Sequence, residues 1–244
     1  MTTWLIPCST PPRSTYRLVC LLHAGGSASY YPWVREALTD GGELYCVQYP
    51  GRQERRHEPP VEKFPEMVDA VVEALDAGPD LPLVLFGHSL GSLLAFEAAR
   101  ALPDRVTALI ASGRRAPSVR PPRGFESATD DASMLAKMRD LGGIAPALLA
   151  DPDVVQMVLP PMTADFRLAG TYEPEPGARV GMPMTVLNGD ADPLVTPAEA
   201  QVWREHAAGP VEVHQLSGGH FFFHTDRARV LELIRSALPA NRGA

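Results

Sequence analysis

The chain has 244 residues, a hydrophobic fraction of 45%, a charged fraction of 21% and a formal net charge of -7 at pH 7. That length supports a large core in one domain with an insertion, and the composition excludes disordered and fibrous classes. The negative balance gives no general pull toward nucleic acid or an anionic membrane surface, and no run approaches the roughly 18 apolar residues of a membrane-spanning helix.

Cys8, Cys20 and Cys46 are an odd number of cysteines without C-x-x-C spacing. Two of them fall inside apolar runs, so all three are read as free thiols of a reducing compartment. Residues 1–15 carry Trp4, Pro7, Cys8 and Pro11-Pro12 in place of a basic start and an apolar stretch. No secretory signal is therefore expected, and the cytoplasm is the default location.

Short apolar runs alternate with longer amphipathic stretches. The pattern predicts, in chain order, strand Arg17–Leu22, helix Tyr31–Thr39, strand Leu44–Gln48, helix Phe64–Ala77, strand Leu83–Phe86, helix Leu90–Leu102 and strand Val106–Ala111. After an interval come strand Met184–Asn188, helix Pro197–Ala207 with Thr196 as its cap, strand Val211–Gln215 and helix Thr225–Leu238. Strands apolar on both faces, separated by helices, predict a doubly wound α/β fold with a mostly parallel sheet.

Residues 113–183 break the rhythm. They open on a Pro- and Arg-rich segment, Arg114 to Arg123, and contain no convincing strand. Helices are expected over Asp131–Leu141 and Ala147–Met162, separated by Gly142-Gly143 and Pro146, with Asp151-Pro152 as a cap and first-turn proline. Helices inserted after a sheet strand suit a lid over a site at the strand ends; the plainer alternative is a surface excursion without a role.

Strand Leu83–Phe86 runs through Gly87-His88-Ser89-Leu90-Gly91 directly into a helix. The string G-x-S-x-G arises by chance in about one such sequence in twelve, so its weight comes from this context. A nucleophile elbow needs a sharp strand-to-helix turn that exposes the serine Oγ, with small residues on either side. A turn that merely packs helix on strand is the competing explanation.

Serine needs a base, which this fold supplies last in chain order. Of seven histidines, His220 in Ser217-Gly-Gly-His220-Phe-Phe-Phe lies between the last strand and the last helix. His214 and His224 are better explained as structural, His57 and His206 as members of exposed polar stretches, and His88 as pointing away from the elbow. The acid that orients the imidazole belongs after strand Met184–Asn188, in Gly189-Asp190-Ala191-Asp192-Pro193. Asp192 is preferred because it is far enough from the strand to reach the histidine loop, whereas Asp190 suits a turn or cap. Oxyanion donors are expected from the backbone N–H groups of Leu90 and of Ala24, the latter in His23-Ala24-Gly25-Gly26. No cofactor or metal enters this scheme.

The runs H-A-G-G, G-H-S-L-G, G-D-A-D-P and G-G-H-F-F, in this order, resemble the type II thioesterases of polyketide and nonribosomal peptide synthases. Tyr49-Pro50-Gly51-Arg52 with Arg55, and the insertion run Leu141-Gly142-Gly143 through Asp165-Phe166-Arg167 to Thr171-Tyr172, extend the resemblance over nearly the whole chain. It implies a lidded α/β-hydrolase fold and hydrolysis of acyl groups from the phosphopantetheine arm of acyl or peptidyl carrier proteins, in antibiotic-type biosynthesis. A monomer is expected. Carrier docking would need basic patches, for which Arg52, Arg55 and Arg56, or Arg114, Arg115, Arg120 and Arg123, are the candidates against a background of plain solvated arginines. A small-molecule ester hydrolase or chain-terminating cyclase would share the catalytic residues, and a silent binding module on the same fold is the reading from another class.

Overall fold

The computed structural model describes residues 4–120, 130–144 and 147–239. Its centre is a seven-stranded sheet in the order β1-β3-β2-β4-β5-β6-β7. The strands are β1 (Leu5–Ser9), β2 (Tyr16–Leu21), β3 (Gly42–Val47), β4 (Leu83–His88), β5 (Val106–Ser112), β6 (Met184–Gly189) and β7 (Val211–Leu216). Every pairing is parallel except that of β1 with β3. β2 and β4 are buried along their full length, as strands covered on both faces must be.

Helices α1 (Phe64–Asp76), α2 (Leu90–Ala101), α3 (Asp131–Leu141), α4 (Pro152–Gly170), α5 (Pro197–Gln201) and α6 (Arg227–Ala237) complete the frame. The six expected strands form, with ends shifted by a residue or two, which is the ordinary uncertainty of an element boundary. β1 was not expected. Pro7 interrupts its apolar run, but an edge strand tolerates a missing N–H, and a register shift between Pro7 and Ser9 marks a bulge there. The stretch expected as helix Tyr31–Thr39 forms two short 3-10 segments, Ala28–Tyr30 and Pro32–Ala37. Likewise Pro197–Ala207 begins as α5 and tightens into a 3-10 segment over Val202–His206.

Between β5 and β6 the chain leaves the sheet for α3 and α4. α3 starts at Asp130, whose carboxylate accepts from the Ser133 N–H at 2.9 Å, and ends at Gly142, with φ of 75°, a left-handed cap that favours glycine. α4 starts where Asp151-Pro152 suggests, with Asp151 accepting from Asp153 N–H at 2.9 Å. It then continues through Pro160-Pro161 to Gly170, beyond the expected end at Met162. The prolines cost the helix two backbone donors, yet Leu159, Pro161, Met162 and Asp165 are all buried, so packing of this face offsets the loss. The returning chain is tied to the frame by Thr171, whose hydroxyl accepts from Phe64 N–H at 3.0 Å, and by Tyr172, which donates to Glu97 at 2.8 Å. Pro146 and Arg123 lie outside the described residues.

β2 has β3 on one side and β4 on the other. The chain order therefore reverses beside β2, and the crevice at its carboxyl end is where open α/β sheets place their sites. α2 must lie close to this crevice: a Cβ on Gly87 would fall on the Gly91 carbonyl, and one on Gly91 on the Leu21 carbonyl. Because both obstacles are backbone, Gly91→Ala should destabilise the protein by about 1–3 kcal/mol or more. Gly181→Ala, which meets nothing within 4 Å, should change stability by less than about 0.5 kcal/mol. Thermal melting of the two variants checks the contrast.

Candidate active site

Ser89 stands between β4 and α2 with φ 55° and ψ −117°. A non-glycine residue in this region costs about 1–3 kcal/mol and persists only where its surroundings enforce it. Here the Ser89 N–H donates to the Ser112 carbonyl at 2.8 Å. The Ser92 hydroxyl lies 2.8 Å from both the Gly87 and Ser112 carbonyls and accepts from the Ser112 N–H at 3.0 Å. His88 is fully buried, with Nδ1 2.9 Å from the Ser112 hydroxyl. The last residue of β5, Ser112, thus braces the turn.

His220 follows β7 and is 2% exposed; its Nδ1 lies 2.9 Å from Asp192 Oδ2. The carboxylate fixes the proton on Nδ1 and leaves Nε2 as the basic nitrogen. Asp192 follows β6, and its other oxygen accepts from the Leu194 N–H at 2.8 Å. Asp190 instead accepts from the Gly218 N–H at 2.9 Å, holding the histidine loop against the end of β6. Gly113 is wedged between rings: a Cβ there would meet His88 and lie 3.4 Å from His220 Cε1.

Ser89, His220 and Ala24 line one cavity of about 330 Å³. Its far wall is apolar and comes from the β5–β6 connection, through Met138, Leu141, Met157, Met162 and Phe166. Such a wall suits a hydrocarbon chain, with the polar groups gathered at one end. Met157 is 69% exposed and Leu148 51%, so apolar surface extends outward from the cavity. In the loop after β2, the Gly26 N–H donates to the His23 carbonyl at 2.9 Å and the Gly25 N–H to Asp165 at 2.7 Å. Among the described residues the Ala24 N–H has no hydrogen-bond partner. Among the described residues no cluster of three or more His, Cys, Asp or Glu is placed to hold a metal ion.

Sequence reasoning missed Asp165 as a site residue. It is 3% exposed and receives Arg52 in a fork, Nη1 at 2.5 Å and Nη2 at 2.8 Å. Arg52 and Arg55 are therefore not a surface patch for docking: both are buried, and Arg55 pairs with Glu58 at 2.7 Å. Of that cluster only Arg56 is exposed. In the second cluster Arg114 and Arg115 are half-buried, and Arg115 pairs with Glu199 at 2.7 Å; Arg120 is exposed. His206 is also not exposed. At 4% exposure it bonds the Ala178 carbonyl through Nδ1 at 2.8 Å and the Ser118 hydroxyl through Nε2 at 2.9 Å, pinning the start of the β5–β6 connection to the chain before β7. Cys20 and Cys46 are buried, Cys8 is half-buried, and all three thiols are free.

The sheet, the crevice and the strained serine define an α/β-hydrolase. A family profile described as "Thioesterase domain" matches residues 16–238. Thioesterase PikA5 of Streptomyces venezuelae is 40% identical over 99% of this chain and 87% of its own. The solved structure of the type II thioesterase BorB from the borrelidin biosynthetic cluster superposes with a TM-score of 0.89, at 38% identity over 98% of each chain. The thioesterase RedJ from the prodiginine pathway in Streptomyces coelicolor gives 0.87, at 32% identity over 96% of this chain and 95% of that one. The chain belongs to the thioesterase family, as a type II thioesterase of polyketide and nonribosomal peptide antibiotic biosynthesis. Among the described residues no helix is long and apolar enough to cross a membrane.

His23 is buried beside the elbow with Nδ1 2.7 Å from the Tyr31 hydroxyl. Burial, then the neighbouring His220 and Arg52, push its pKa down to about 3. Burial also holds His88 well below its ordinary value. In the unfolded chain each titrates near 6.5, so below that pH the unfolded state binds protons the folded state refuses. The stability this contributes is therefore present in full above about pH 6.5 and is lost as pH falls, by about 2 kcal/mol for His23 between pH 7 and 5, with His88 acting in the same direction. Urea unfolding at the two pH values should show a flatter dependence in His23→Gln than in the wild type; equal slopes would contradict this assignment.

Proposed function

We propose that Ser89 is the nucleophile, His220 the general base and acid, and Asp192 the group that orients His220 and stabilises its charged form. The hydrogen bond of 2.9 Å between His220 and Asp192, opening on the cavity shared with Ser89, is the observation that carries this reading. Ser89 Oγ attacks the thioester carbonyl as its proton passes to His220 Nε2. The tetrahedral oxyanion is received by the N–H groups of Ala24 and Leu90, the latter at the start of α2 where the helix dipole favours negative charge. Collapse of the intermediate breaks the C–S bond, and the departing sulfur takes the proton from His220 Nε2, which leaves the imidazole neutral again. A thiol of pKa about 8.5 leaves without the full protonation that an amine requires. Water, deprotonated by His220, then attacks the acyl-enzyme; the bond between Ser89 Oγ and the acyl carbon breaks, His220 returns the proton to Oγ, and the acid departs.

The substrate in this reading is an acyl group on the phosphopantetheine arm of an acyl or peptidyl carrier protein, removed by a monomer in the cytoplasm. The chain is read as one α/β-hydrolase domain in which residues 113–183 form a lid. The apolar wall from α3 and α4 supports an acyl substrate, and the relatedness to enzymes of synthase clusters supports the carrier.

Three substrates bearing one acyl group separate this reading from a small-molecule ester hydrolase: the acyl-carrier protein, a short acyl-thiol and the matching oxygen ester. The carrier-bound thioester should give the highest kcat/KM, and Ser89→Ala should lower turnover on all three by about 10⁴-fold or more. A faster oxygen ester would overturn the substrate assignment, and unchanged turnover in Ser89→Ala would overturn the mechanism.

A further inference from the structure

We propose that Asp165 is a positioning residue that makes the oxyanion donor at Ala24 depend on the seating of α4. The proposal rests on the reading of Ala24 as an oxyanion donor given above.

Four consecutive peptide planes run through the loop after β2, and each is held. The first contains the His23 carbonyl and the Ala24 N–H. Its carbonyl accepts from the Gly26 N–H at 2.9 Å, and because a trans peptide sets C=O and N–H on opposite sides, this bond turns the Ala24 N–H the other way. The second plane contains the Gly25 N–H, which donates to Asp165 Oδ2 at 2.7 Å. The third carries the Gly26 N–H that closes back on the His23 carbonyl, and the fourth carries the Gly26 carbonyl, 3.5 Å from Arg52 Nη1. Ala24 therefore sits between two fixed planes. The second of them depends on a carboxylate 140 residues away in sequence.

The same helix grips the loop a second way. Met162, nearly one turn before Asp165 on α4, packs on Gly25 so closely that a Cβ there would lie 2.6 Å from its Cε. Gly25 itself has φ of 72°, which glycine adopts without penalty. Arg52, fixed by its Nε to the Pro50 carbonyl at 3.1 Å, is a rigid partner that holds both carboxylate oxygens. A buried ion pair adds little stability over an apolar pair of the same size. Its geometric yield here is a carboxylate locked in one orientation, with its remaining acceptor aimed at a backbone donor. When α4 is displaced, the loop loses the hydrogen bond and the methionine contact together, and the Ala24–Gly25 plane is free to turn. The oxyanion donor is then complete only with α4 seated over the cavity.

Asp165→Asn keeps the shape but replaces one acceptor oxygen with an NH2 donor, so it cannot accept from Arg52 Nη1, Arg52 Nη2 and the Gly25 N–H together. Kinetics on a short acyl-thioester, with no carrier protein present, would be paired with the inhibition constant of an acyl trifluoromethyl ketone. This ketone adds to a serine Oγ and places an oxyanion in the hole. The expected result is a fall in kcat of about ten- to a hundredfold, KM within about twofold, and a loss of analogue affinity that matches the fall in kcat. A merely structural role would reduce the fraction of active enzyme and leave the inhibition constant unchanged; that outcome, or wild-type kcat, overturns the proposal. If Asp165→Asn does not fold, Arg52→Lys, which keeps the charge and loses the fork, is read by the same inhibition constant, with a weaker analogue expected and an unchanged one contradicting. Ser89→Ala run alongside isolates the parent reading: if it retains wild-type turnover, the nucleophile assignment falls first and this proposal with it. An inactive Ser89→Ala with a fully active Asp165→Asn removes the positioning role alone.

Discussion

The close crossing of α2 over β2 and β4 is the constraint on which the rest of the molecule depends. Gly87 touches the carbonyl of Gly91, and Gly91 touches that of Leu21, so the helix begins as near the sheet as backbone can approach. The turn between them has room for one residue, and Ser89 takes it at positive φ. The same contact fixes α2 against the end of β2, from which the His23–Gly26 loop departs. Glycine packing thus sets the start of α2 beside the end of β2. Ser92 and Ser112 then hold the turn with four short polar contacts, which is what sustains a strained serine without a ligand.

Charge around this turn is rationed. His23, His88, His220 and Phe221 form a continuous set of ring contacts, with His88 and His220 centroids 4.9 Å apart. Burial keeps His23 and His88 neutral, and His220 alone among them has a carboxylate partner. In the proposed mechanism, an imidazolium formed at His220 meets the Asp192 carboxylate and no competing cation from these neighbouring rings. Phe222 and Phe223, which follow it in the chain, are buried and anchor the histidine loop to the core.

Much of this was legible in the sequence because it is written locally. The strands between helices are apolar on both faces, the elbow lies within five residues, and Asp192 and His220 sit where the chain leaves β6 and β7. What was not legible depends on residues distant in sequence. Arg52 and Asp165 are separated by 113 positions, and nothing in the spacing of two charged residues says that they are buried against each other. Arg52 consequently read as surface. His206 read as exposed because its neighbours Arg204 and Glu205 are polar, whereas its own ring faces Trp203 and Phe96. The continuation of α4 through Pro160-Pro161 defied local propensity, since the burial of Met162, Asp165 and Leu168 outweighs two missing hydrogen bonds. β1 escaped notice because its apolar run is only five residues long and holds a proline, which is permitted by its place at the sheet edge.

The central claim is that hydrolysis passes through an acyl group on Ser89. The direct measurement is rapid quenching of the enzyme during turnover of an acyl-thioester, followed by proteolysis and mass spectrometry of the peptides. The account predicts a mass increase equal to the acyl group on the peptide containing Ser89, formed before the acid is released and absent from Ser89→Ala. An acyl group found on another residue, or steady turnover by Ser89→Ala with no adduct at all, would contradict it.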